Sequence, residues 1–398
     1  MAAADSRGDA RDATAPASAG DLLELVRTRR AHTRAELSRL TGLSRTAVLS
    51  RVSALVDAGL LVLGEELAST GGRPPGSLEF NHDAGVVLGV AIGRSRSQMG
   101  VFDLDGRELA GVSQDHEVGV GPDALMPEVA GCLEKLLHDV DTPVVGVGMS
   151  LPGTVDTVRG VSVDSPVMRG WDGVELAPYL SGVTTAPLFL ANDAVVLAGS
   201  ELFGRPEPAR EALVVKASTG LGLGIIAQGQ VLTGHAGVTG ELGHCKVPAA
   251  EGLACRCGAS GCLEAVAGGW ALVARLREAG GRADHVRDLV ALALEGDPLA
   301  RGLLRDSGRH LGEVLAVAIN LLNPEVVVLG GDMAGAFDIY AAGVRESVYA
   351  QATALSSRDL QFRPAVHGDR SGLVGCAALA IERVLSPAAV EALLRERA

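Results

Sequence analysis

The chain has 398 residues and a formal net charge of −13, and 47% of its residues are hydrophobic. This length allows two or three domains with separate cores. The acidic balance argues against a protein that coats nucleic acid along its whole surface, and no apolar run approaches the roughly 20 residues of a membrane span. Most of the six cysteines fall in one cluster, which suits a reducing compartment better than a disulfide framework. We therefore expect a soluble, cytoplasmic protein with no membrane partner.

Residues 1–20 are rich in Ala, Asp, Arg and Ser. They lack the apolar centre of a secretory signal and predict a disordered tail. Residues 21–60 then form a basic segment, with seven arginines against four acidic residues. Apolar spacing predicts three helices in this segment, the second capped by Thr33 and the third by Ser44. The short turn before the third helix predicts a helix-turn-helix. The third helix carries the side chains that would reach bases or phosphates in a major groove, namely Arg45, Thr46, Ser50 and Arg51.

Two further strands, at residues 59–63 and 77–80, predict the wing of a winged helix-turn-helix domain over residues 21–81. The Gly/Pro-rich loop between them carries Arg73, a suitable side chain for a narrow minor groove. The alternative is a three-helix packing unit with no role in DNA binding. The turn, the basic face and the wing occur in the right order, which favours the DNA-binding interpretation.

From residue 85 onward, strands alternate with helices. Residues 86–92, 99–104 and 108–112 predict three strands joined by tight turns. A similar unit surrounds the glycine-rich turn at residues 218–224, about 125 residues later. Two such units predict an α/β region made of two related halves that face a cleft. Residues 386–398 predict a closing helix.

The most specific motif lies in residues 240–264. It offers one imidazole and three thiols, a complete ligand set for a structural zinc ion, at His244, Cys255, Cys257 and Cys262. A closed site of this kind activates no water, so its predicted role is to hold the loop. The loop carries Glu241 and Glu264 at its ends, and paired carboxylates suit a ligand with many hydroxyls. Alternatives are ordinary core cysteines or a nucleic-acid zinc finger, although the scarcity of basic residues disfavours a finger.

These features together resemble the ROK family of repressors and sugar kinases. The resemblance covers residues 85–385 and implies a two-lobed, actin-like and hexokinase-like α/β fold behind the winged helix-turn-helix. It implies zinc at His244, Cys255, Cys257 and Cys262, with a zinc loop over residues 241–264. It also implies sugar or effector contacts at Gly153, Asn192, Asp193, Glu241, His244 and Glu264. Asp193 occupies the position of the catalytic base in the family's kinases.

The sequence also departs from the kinase pattern. Family kinases open the first strand-turn-strand unit with an aspartate, a Gly-Gly pair and a threonine, which handle the phosphates of magnesium-ATP. Here the same span reads Ala91-Ile92-Gly93-Arg94-Ser95, so the acid is missing and an arginine replaces one glycine. Val195 stands where the kinases usually have asparagine. We therefore expect phosphoryl transfer to be lost or much reduced, without a role for ATP and Mg²⁺.

The leading hypothesis is a transcriptional regulator, a repressor of carbohydrate-related genes. It would bind double-stranded operator DNA as a homodimer or homotetramer and sense a sugar or sugar phosphate. The alternative is an ATP-dependent kinase of a hexose or N-acetylhexosamine, or a bifunctional protein, which Asp193 leaves open. A third interpretation is a regulator that responds to no small molecule.

Overall fold

The computed structural model describes residues 17–66, 76–157, 159–163, 168, 170–205, 207–235 and 237–397. These residues divide into two compact units. The smaller unit contains the described residues up to Gly85 together with those from Glu382 onward, and the larger unit contains Val86–Ile381. Among the described helices, none is long and apolar enough to span a membrane by itself. One bent pair, Gly368–Val384 and Pro387–Glu396, reaches the required length and composition only when its two helices are combined.

The N-terminal part of the smaller unit is a three-helix fold with a β-hairpin. Its elements are α1 (Ala19–Arg27), α2 (Arg34–Thr41), α3 (Arg45–Asp57), β1 (Leu61–Glu66) and β2 (Gly76–Phe80), the two strands being antiparallel. Thr33 and Glu36 form a reciprocal capping box at the start of α2, and Gly42, with a φ of 72°, ends it. A left-handed residue stops a helix sharply. As a result α3 begins three residues later, which gives the predicted helix-turn-helix.

The first helix and the first strand each begin two residues away from the predicted position. α1 begins at Ala19 because Ser18 caps it, so the last two residues of the predicted 1–20 tail are helical. β1 begins at Leu61 rather than at residue 59, because Gly59 has a φ of 75° that belongs to a turn. Residues 1–16 of the predicted tail, and Arg73 in the wing loop, lie outside the described residues.

The larger unit opens with a five-stranded sheet in the order β5-β4-β3-β6-β9. Its strands are β3 (Val86–Ile92), β4 (Arg96–Asp103), β5 (Glu108–Asp115), β6 (Val144–Leu151) and β9 (Leu188–Asn192); β7 (Val155–Asp156) and β8 (Val161–Ser162) form a small separate hairpin. β3, β4 and β5 form an antiparallel meander, whereas β6 pairs parallel with β3 and with β9.

A second five-stranded sheet repeats this arrangement in the order β12-β11-β10-β13-β14. Its strands are β10 (Ala212–Ala217), β11 (Leu221–Ala227), β12 (Gln230–Val231), β13 (Val326–Gly330) and β14 (Gln361–Pro364). β10 pairs antiparallel with β11 and parallel with β13, as β3 does with β4 and β6. The repeated order confirms the predicted two related halves.

Helices cover both sheets. They are α4 (Pro122–Leu136), α5 (Asp193–Leu202), α6 (Glu264–Ala267), α7 (Gly269–Glu278), α8 (Val286–Glu295), α9 (Pro298–Leu322), α10 (Phe337–Gln351), α11 (Ala354–Ser357) and α12 (Ser371–Val384). Trp171 is buried in the core of the first half and Tyr340 in that of the second. α12 packs so closely on β6 that a Cβ at Gly148 would lie 1.9 Å from the carbonyl oxygen of Cys376.

The last helix, α13 (Pro387–Glu396), packs against α1 within the smaller unit. The backbone N–H of Ala19 donates to Glu391 Oε1 at 2.7 Å. Gly20 lies directly beneath Pro387, where a Cβ would come within 2.4 Å of the proline Cα. The two ends of the chain therefore build one packed unit, which the sequence pattern does not indicate.

Candidate functional site

A cavity of about 500 Å³ in the larger unit is lined by residues from both halves. The β3–β4 turn contributes from the first half, and the β10–β11 turn and the loop before α6 contribute from the second. The structure brings all the predicted sugar-contact residues to this cavity, namely Gly153, Asn192, Asp193, Glu241, His244 and Glu264. Residues that are up to 111 positions apart in sequence therefore face one space, and their contacts decide what it binds.

Asn192 and Asp193 stand where β9 ends and α5 begins. The Asn192 side chain accepts from the backbone N–H of Ala194 at 2.8 Å, which caps α5, and donates to the carbonyl oxygen of Gly153 at 2.8 Å. Gly153 has a φ of 87°, a conformation that favours glycine. The Asn192 side chain thus stabilises the start of α5 and the loop at Gly153. Asp193 lines the cavity.

Lys216 on β10 forms an ion pair with Asp193, with 2.8 Å between Nζ and Oδ2. Burial by itself lowers the pKa of Lys216, but the carboxylates of Asp193, Asp332 and Glu264 outweigh burial and raise it. Lys216 therefore keeps its charge and holds the Asp193 carboxylate in an ion pair, whereas a catalytic base must contact the hydroxyl whose proton it takes. Sequence reasoning missed Lys216; the signal was a lysine on a buried strand just before a glycine-rich turn.

Glu264 is buried at the start of α6, with 5% of its surface exposed. Its Oε2 accepts from the backbone N–H of Leu221 at 3.1 Å, and its Oε1 accepts from Trp270 Nε1 at 3.0 Å. A Cβ at Gly220 would lie 2.7 Å from Oε2, closer than real contacts allow. The glycine in the β10–β11 turn therefore makes room for this carboxylate, which keeps free lone pairs for a ligand hydroxyl.

Glu241 is the second carboxylate of the pair, and it lies beside His244. Glu241 Oε2 lies 3.8 Å from His244 Nε2. Burial raises the pKa of Glu241, the nearby carboxylates of Asp193 and Glu264 add to this effect, and His244 opposes it. Gly240, with a φ of 88°, lets the loop pass over β11, because a Cβ there would lie 1.7 Å from the carbonyl oxygen of Leu223. The backbone thus fixes the approach of Glu241 to the cavity.

The four predicted metal ligands come together in a single cluster. Their ligand atoms all lie within 4.8 Å of one another at His244, Cys255, Cys257 and Cys262. The Sγ atoms of Cys257 and Cys262 are 3.7 Å apart, and Cys255 Sγ is 3.8 Å from His244 Nδ1. A tetrahedral zinc ion with bonds of about 2.3 Å to sulfur separates two ligand sulfurs by about 3.8 Å. The donor set and its spacing therefore fit zinc, whereas Cys245 is exposed and outside the cluster.

Lys246 supports the cluster from outside. Its ammonium donates to Cys262 Sγ at 2.9 Å and to the carbonyl oxygen of Ser260 at 2.7 Å. The hydrogen bond to Cys262 raises the pKa of Lys246. A cation beside a ligand thiolate offsets the negative charge of three thiolates around one divalent ion. This role of Lys246 was not predicted from the sequence.

The exposed face of α3 carries three of the predicted DNA contacts, Arg45, Thr46 and Ser50. The opposite face is buried in the smaller unit through Val48, Val52 and Leu55. Ser44 caps the helix by accepting from the backbone N–H of Ala47 at 3.2 Å. The polar face at the N-terminal half of α3 is therefore free to enter a groove of DNA.

At two positions on α3 the structure differs from the predicted set of DNA contacts. Arg51 is partly buried, and its Nη1 donates to the carbonyl oxygen of Ala47 at 3.3 Å. Leu49 was not predicted, yet it is 52% exposed among the polar residues of that face. Its spacing of four residues from Arg45 was the available signal. An exposed apolar side chain at this place suits contact with a thymine methyl group.

Comparison with known proteins agrees with this architecture. The profile of the ROK family matches residues 87–383, and a winged helix-turn-helix DNA-binding profile matches residues 21–62. A glucokinase of Thermotoga maritima is 30% identical over 316 residues, which cover 75% of this chain and 98% of the relative. A xylose repressor of Bacillus spizizenii is 26% identical over 361 residues, which cover 88% and 91%.

A solved ROK family transcriptional regulator, a homologue of the MLC protein of E. coli, superposes with a TM-score of 0.77 at 27% identity. The alignment covers 95% of this chain and 98% of the regulator. It thus includes the N-terminal helices as well as the two-lobed region. The chain therefore belongs to the ROK family and carries an N-terminal winged helix-turn-helix DNA-binding region.

Proposed function

We propose that this protein is a DNA-binding transcriptional repressor whose two-lobed region binds a sugar effector. The observation that carries the proposal is that one chain combines a helix-turn-helix with an exposed polar α3 and a cavity lined by carboxylate, amide and imidazole groups. The similarity to a xylose repressor extends over 88% of the chain and includes the helix-turn-helix. This supports a regulator rather than a free-standing sugar-binding protein.

In this proposal the effector's hydroxyl groups donate to Glu241 and Glu264, and Asp193 and His244 contact it from neighbouring sides. Zinc held by His244, Cys255, Cys257 and Cys262 has a structural role and fixes the loop that carries these groups. The protein acts in the cytoplasm on operator DNA as a homodimer or homotetramer. Closure of the cavity on a ligand alters the spacing of paired DNA-binding regions and hence operator affinity.

The test is fluorescence anisotropy of the full-length protein with a labelled duplex from its own promoter region, at one fixed salt concentration. Tight, sequence-selective binding that one sugar or sugar phosphate changes is the expected result. Arg45→Ala should weaken binding by about 10-fold, as for loss of one good base or phosphate contact. Arg282→Ala, which removes the same charge from an exposed loop of the larger unit, serves as the control and should bind as the wild type does.

Binding that is absent or insensitive to sequence would contradict the proposed DNA role. Selective binding that no sugar in the panel changes, together with silent calorimetry, would instead favour a regulator that responds to no small molecule. These two outcomes separate the DNA-binding part of the proposal from the sugar-sensing part.

A second candidate function is a sugar kinase, because the glucokinase relative is 30% identical and Asp193 is retained. Three features oppose it: Ala91 near the end of β3, Arg94 in the turn that follows, and the ion pair that Lys216 makes with Asp193. ATP turnover should therefore be absent with glucose and with N-acetylhexosamines in a coupled assay. Turnover that Asp193→Asn abolishes would establish the kinase.

A further inference from the structure

Arg94 lies in the tight β3–β4 turn at one side of the cavity. The turn is closed by a hydrogen bond from the backbone N–H of Gly93 to the carbonyl oxygen of Arg96 at 2.9 Å. Arg94 lines the cavity together with Glu264 from the other half. A short, hydrogen-bonded turn limits the positions that this side chain can reach, so it stays at the cavity wall.

The other cations that line the cavity are all neutralised. Lys216 pairs with Asp193 at 2.8 Å, Arg287 pairs with Asp115 at 2.7 Å, and Arg96 with Asp369 at 3.4 Å. Arg94 differs from them. Among the described residues no carboxylate lies within ion-pair distance of its guanidinium, and its Nε is buried without a hydrogen-bond partner. A buried donor without a partner costs free energy, and an anion that binds this guanidinium from the cavity would offset that cost.

Arg94, Arg256 and Glu264 interact as a group of two cations and one carboxylate. Burial and the charge of Arg256 lower the pKa of Arg94 to about 10, against the opposing effect of Glu264. The guanidinium of Arg256 is held over the Trp270 ring, 4.6 Å from its centroid. Two guanidinium groups thus share one carboxylate. Arg94 remains protonated at neutral pH and lacks an anion.

Charge and position together restrict what the anion can be. The anionic group must reach Arg94, while the rest of the ligand lies in the cavity beside Glu264. Because the Glu264 carboxylate accepts from hydroxyl groups, one molecule must carry both an anionic group and hydroxyl groups. A phosphate ester presents several strong acceptor oxygens, which match the fork of donors on a guanidinium. A neutral sugar would leave Arg94 unpaired.

We propose that Arg94 is the phosphate-binding residue of the effector site and that the effector is a sugar phosphate rather than a free sugar. This inference rests on the proposed function, since it names the class of ligand for the same cavity. Glu264 accepts from the sugar hydroxyls, and the phosphate binds Arg94 with support from the field of Arg256.

Isothermal titration calorimetry on the full-length protein tests this. The ligands are glucose, mannose and N-acetylglucosamine, each with its 6-phosphate, together with glucuronate and inorganic phosphate. At least one phosphate ester should bind about 10- to 100-fold more tightly than its parent sugar, in keeping with a charge-assisted hydrogen-bond pair. Arg94→Ala should remove this preference and leave the affinity for the parent sugar unchanged within about 2-fold, and Arg94→Lys should restore part of it.

Arg107→Ala is the matched control, because it removes an arginine from the exposed β4–β5 turn outside the cavity lining. It should keep the full preference for the phosphate ester. Thermal unfolding of each variant shows that the fold is intact; Arg94→Ala loses no Nε hydrogen bond to the protein and should unfold at the wild-type temperature.

The outcomes distinguish this inference from the function on which it rests. If free sugars bind as tightly as their phosphates, or if Arg94→Ala keeps the preference, the phosphate role of Arg94 is wrong while sugar sensing stands. If glucuronate binds more tightly than any phosphate ester, the anion is a carboxylate and the inference is overturned. If no ligand in the panel binds the wild type, both the inference and the sugar-sensing function fail.

Discussion

Cys257 and Cys245 form a matched pair for testing the metal site. Cys257 lies in the ligand cluster, whereas Cys245 is exposed and outside it. Cys257→Ser should therefore lower the zinc content from one per chain to near zero, since a hydroxyl is a far weaker zinc ligand than a thiolate. Mass spectrometry of the metal in purified protein measures this. Cys245→Ser should keep one zinc per chain. Unchanged zinc in Cys257→Ser would mean that the ligand set is wrong.

Glu264 is expected to contribute to stability as well as to binding. In the wild type, the backbone N–H of Leu221 and the indole N–H of Trp270 both donate to the Glu264 carboxylate. Glu264→Gln places an amide N–H₂ against one of these two donors. One buried donor then loses its acceptor, which costs about 1–3 kcal/mol. Urea unfolding measures the difference. Glu251→Gln, in an exposed part of the same loop, should change stability little; equal stability of both variants would contradict the assigned hydrogen bonds.

Among single residues, the sequence predicted those whose chemistry is recognisable from local spacing. The histidine and cysteines of the metal cluster and the two loop carboxylates follow a local spacing, so they were found. Lys216 and Trp270 were not, because their roles depend on contacts with Asp193 and Glu264 that only the folded chain makes. Arg94 was noticed as a departure from the kinase pattern, but its lack of a partner is a property of the three-dimensional site.

Among the elements, α2 depends on its capping box. The Glu36 carboxylate accepts from the backbone N–H groups of His32 at 2.7 Å and of Thr33 at 3.1 Å. The hydrogen bond from His32 is the main cause that lowers the pKa of Glu36 below its ordinary value of 4.5. A lowered pKa in the folded state means that the stabilisation is fully present above pH 4.5 and is lost as the pH falls through the folded value.

Glu36→Gln should therefore destabilise the smaller unit at neutral pH, and the difference from wild type should disappear in acid. Denaturant unfolding at several pH values between 3 and 7 measures this. Glu396→Gln, at an exposed position in the same unit, controls for the loss of one negative charge. A difference for Glu36→Gln that stays constant with pH would show that the carboxylate charge has no part in the cap.

The packing of α13 on α1 predicts a sensitivity at Gly20. A valine there would place its Cβ 2.4 Å from the Cα of Pro387, so α13 must move away. We expect Gly20→Val to destabilise the smaller unit by about 1–3 kcal/mol, the usual cost of overpacking. Hydrogen exchange of α1 and α13 measures the loss. Gly131→Ala is the control, because nothing lies within 4 Å of its added Cβ; it should be neutral or slightly stabilising.

The helices and strands illustrate what sequence patterns can and cannot specify. Caps such as Thr33 and Ser44, and alternating apolar strands, are local signals, so the helix-turn-helix and the two repeated strand-turn-strand units were predicted. The contact of α13 with α1 joins the two ends of the chain, and no local pattern encodes it.

For the whole molecule, the separate cores of the two units predict two unfolding transitions. The smaller unit is built around Leu23, Leu37 and Val52, whereas the four-ligand cluster that would hold zinc belongs to the larger unit. A chelator should lower the midpoint of the larger unit's transition by about 5 °C or more, since a structural metal contributes its binding energy to folding. Differential scanning calorimetry measures both transitions, and added zinc should reverse the shift. An equal shift of both transitions would contradict this assignment.

His244 and Glu241 together determine which hydrogen-bonding groups fit between them. Its Nδ1 faces Cys255 in the metal cluster and its Nε2 faces Glu241. With zinc on Nδ1, the single ring proton is confined to Nε2, so the imidazole exists as one tautomer that only donates. In its ionised form the Glu241 carboxylate only accepts. A hydroxyl about 2.8 Å from both would accept from the ring and donate to the carboxylate. An ether oxygen or a methyl group would fail one of these contacts, so metal and carboxylate together select the direction of an O–H bond.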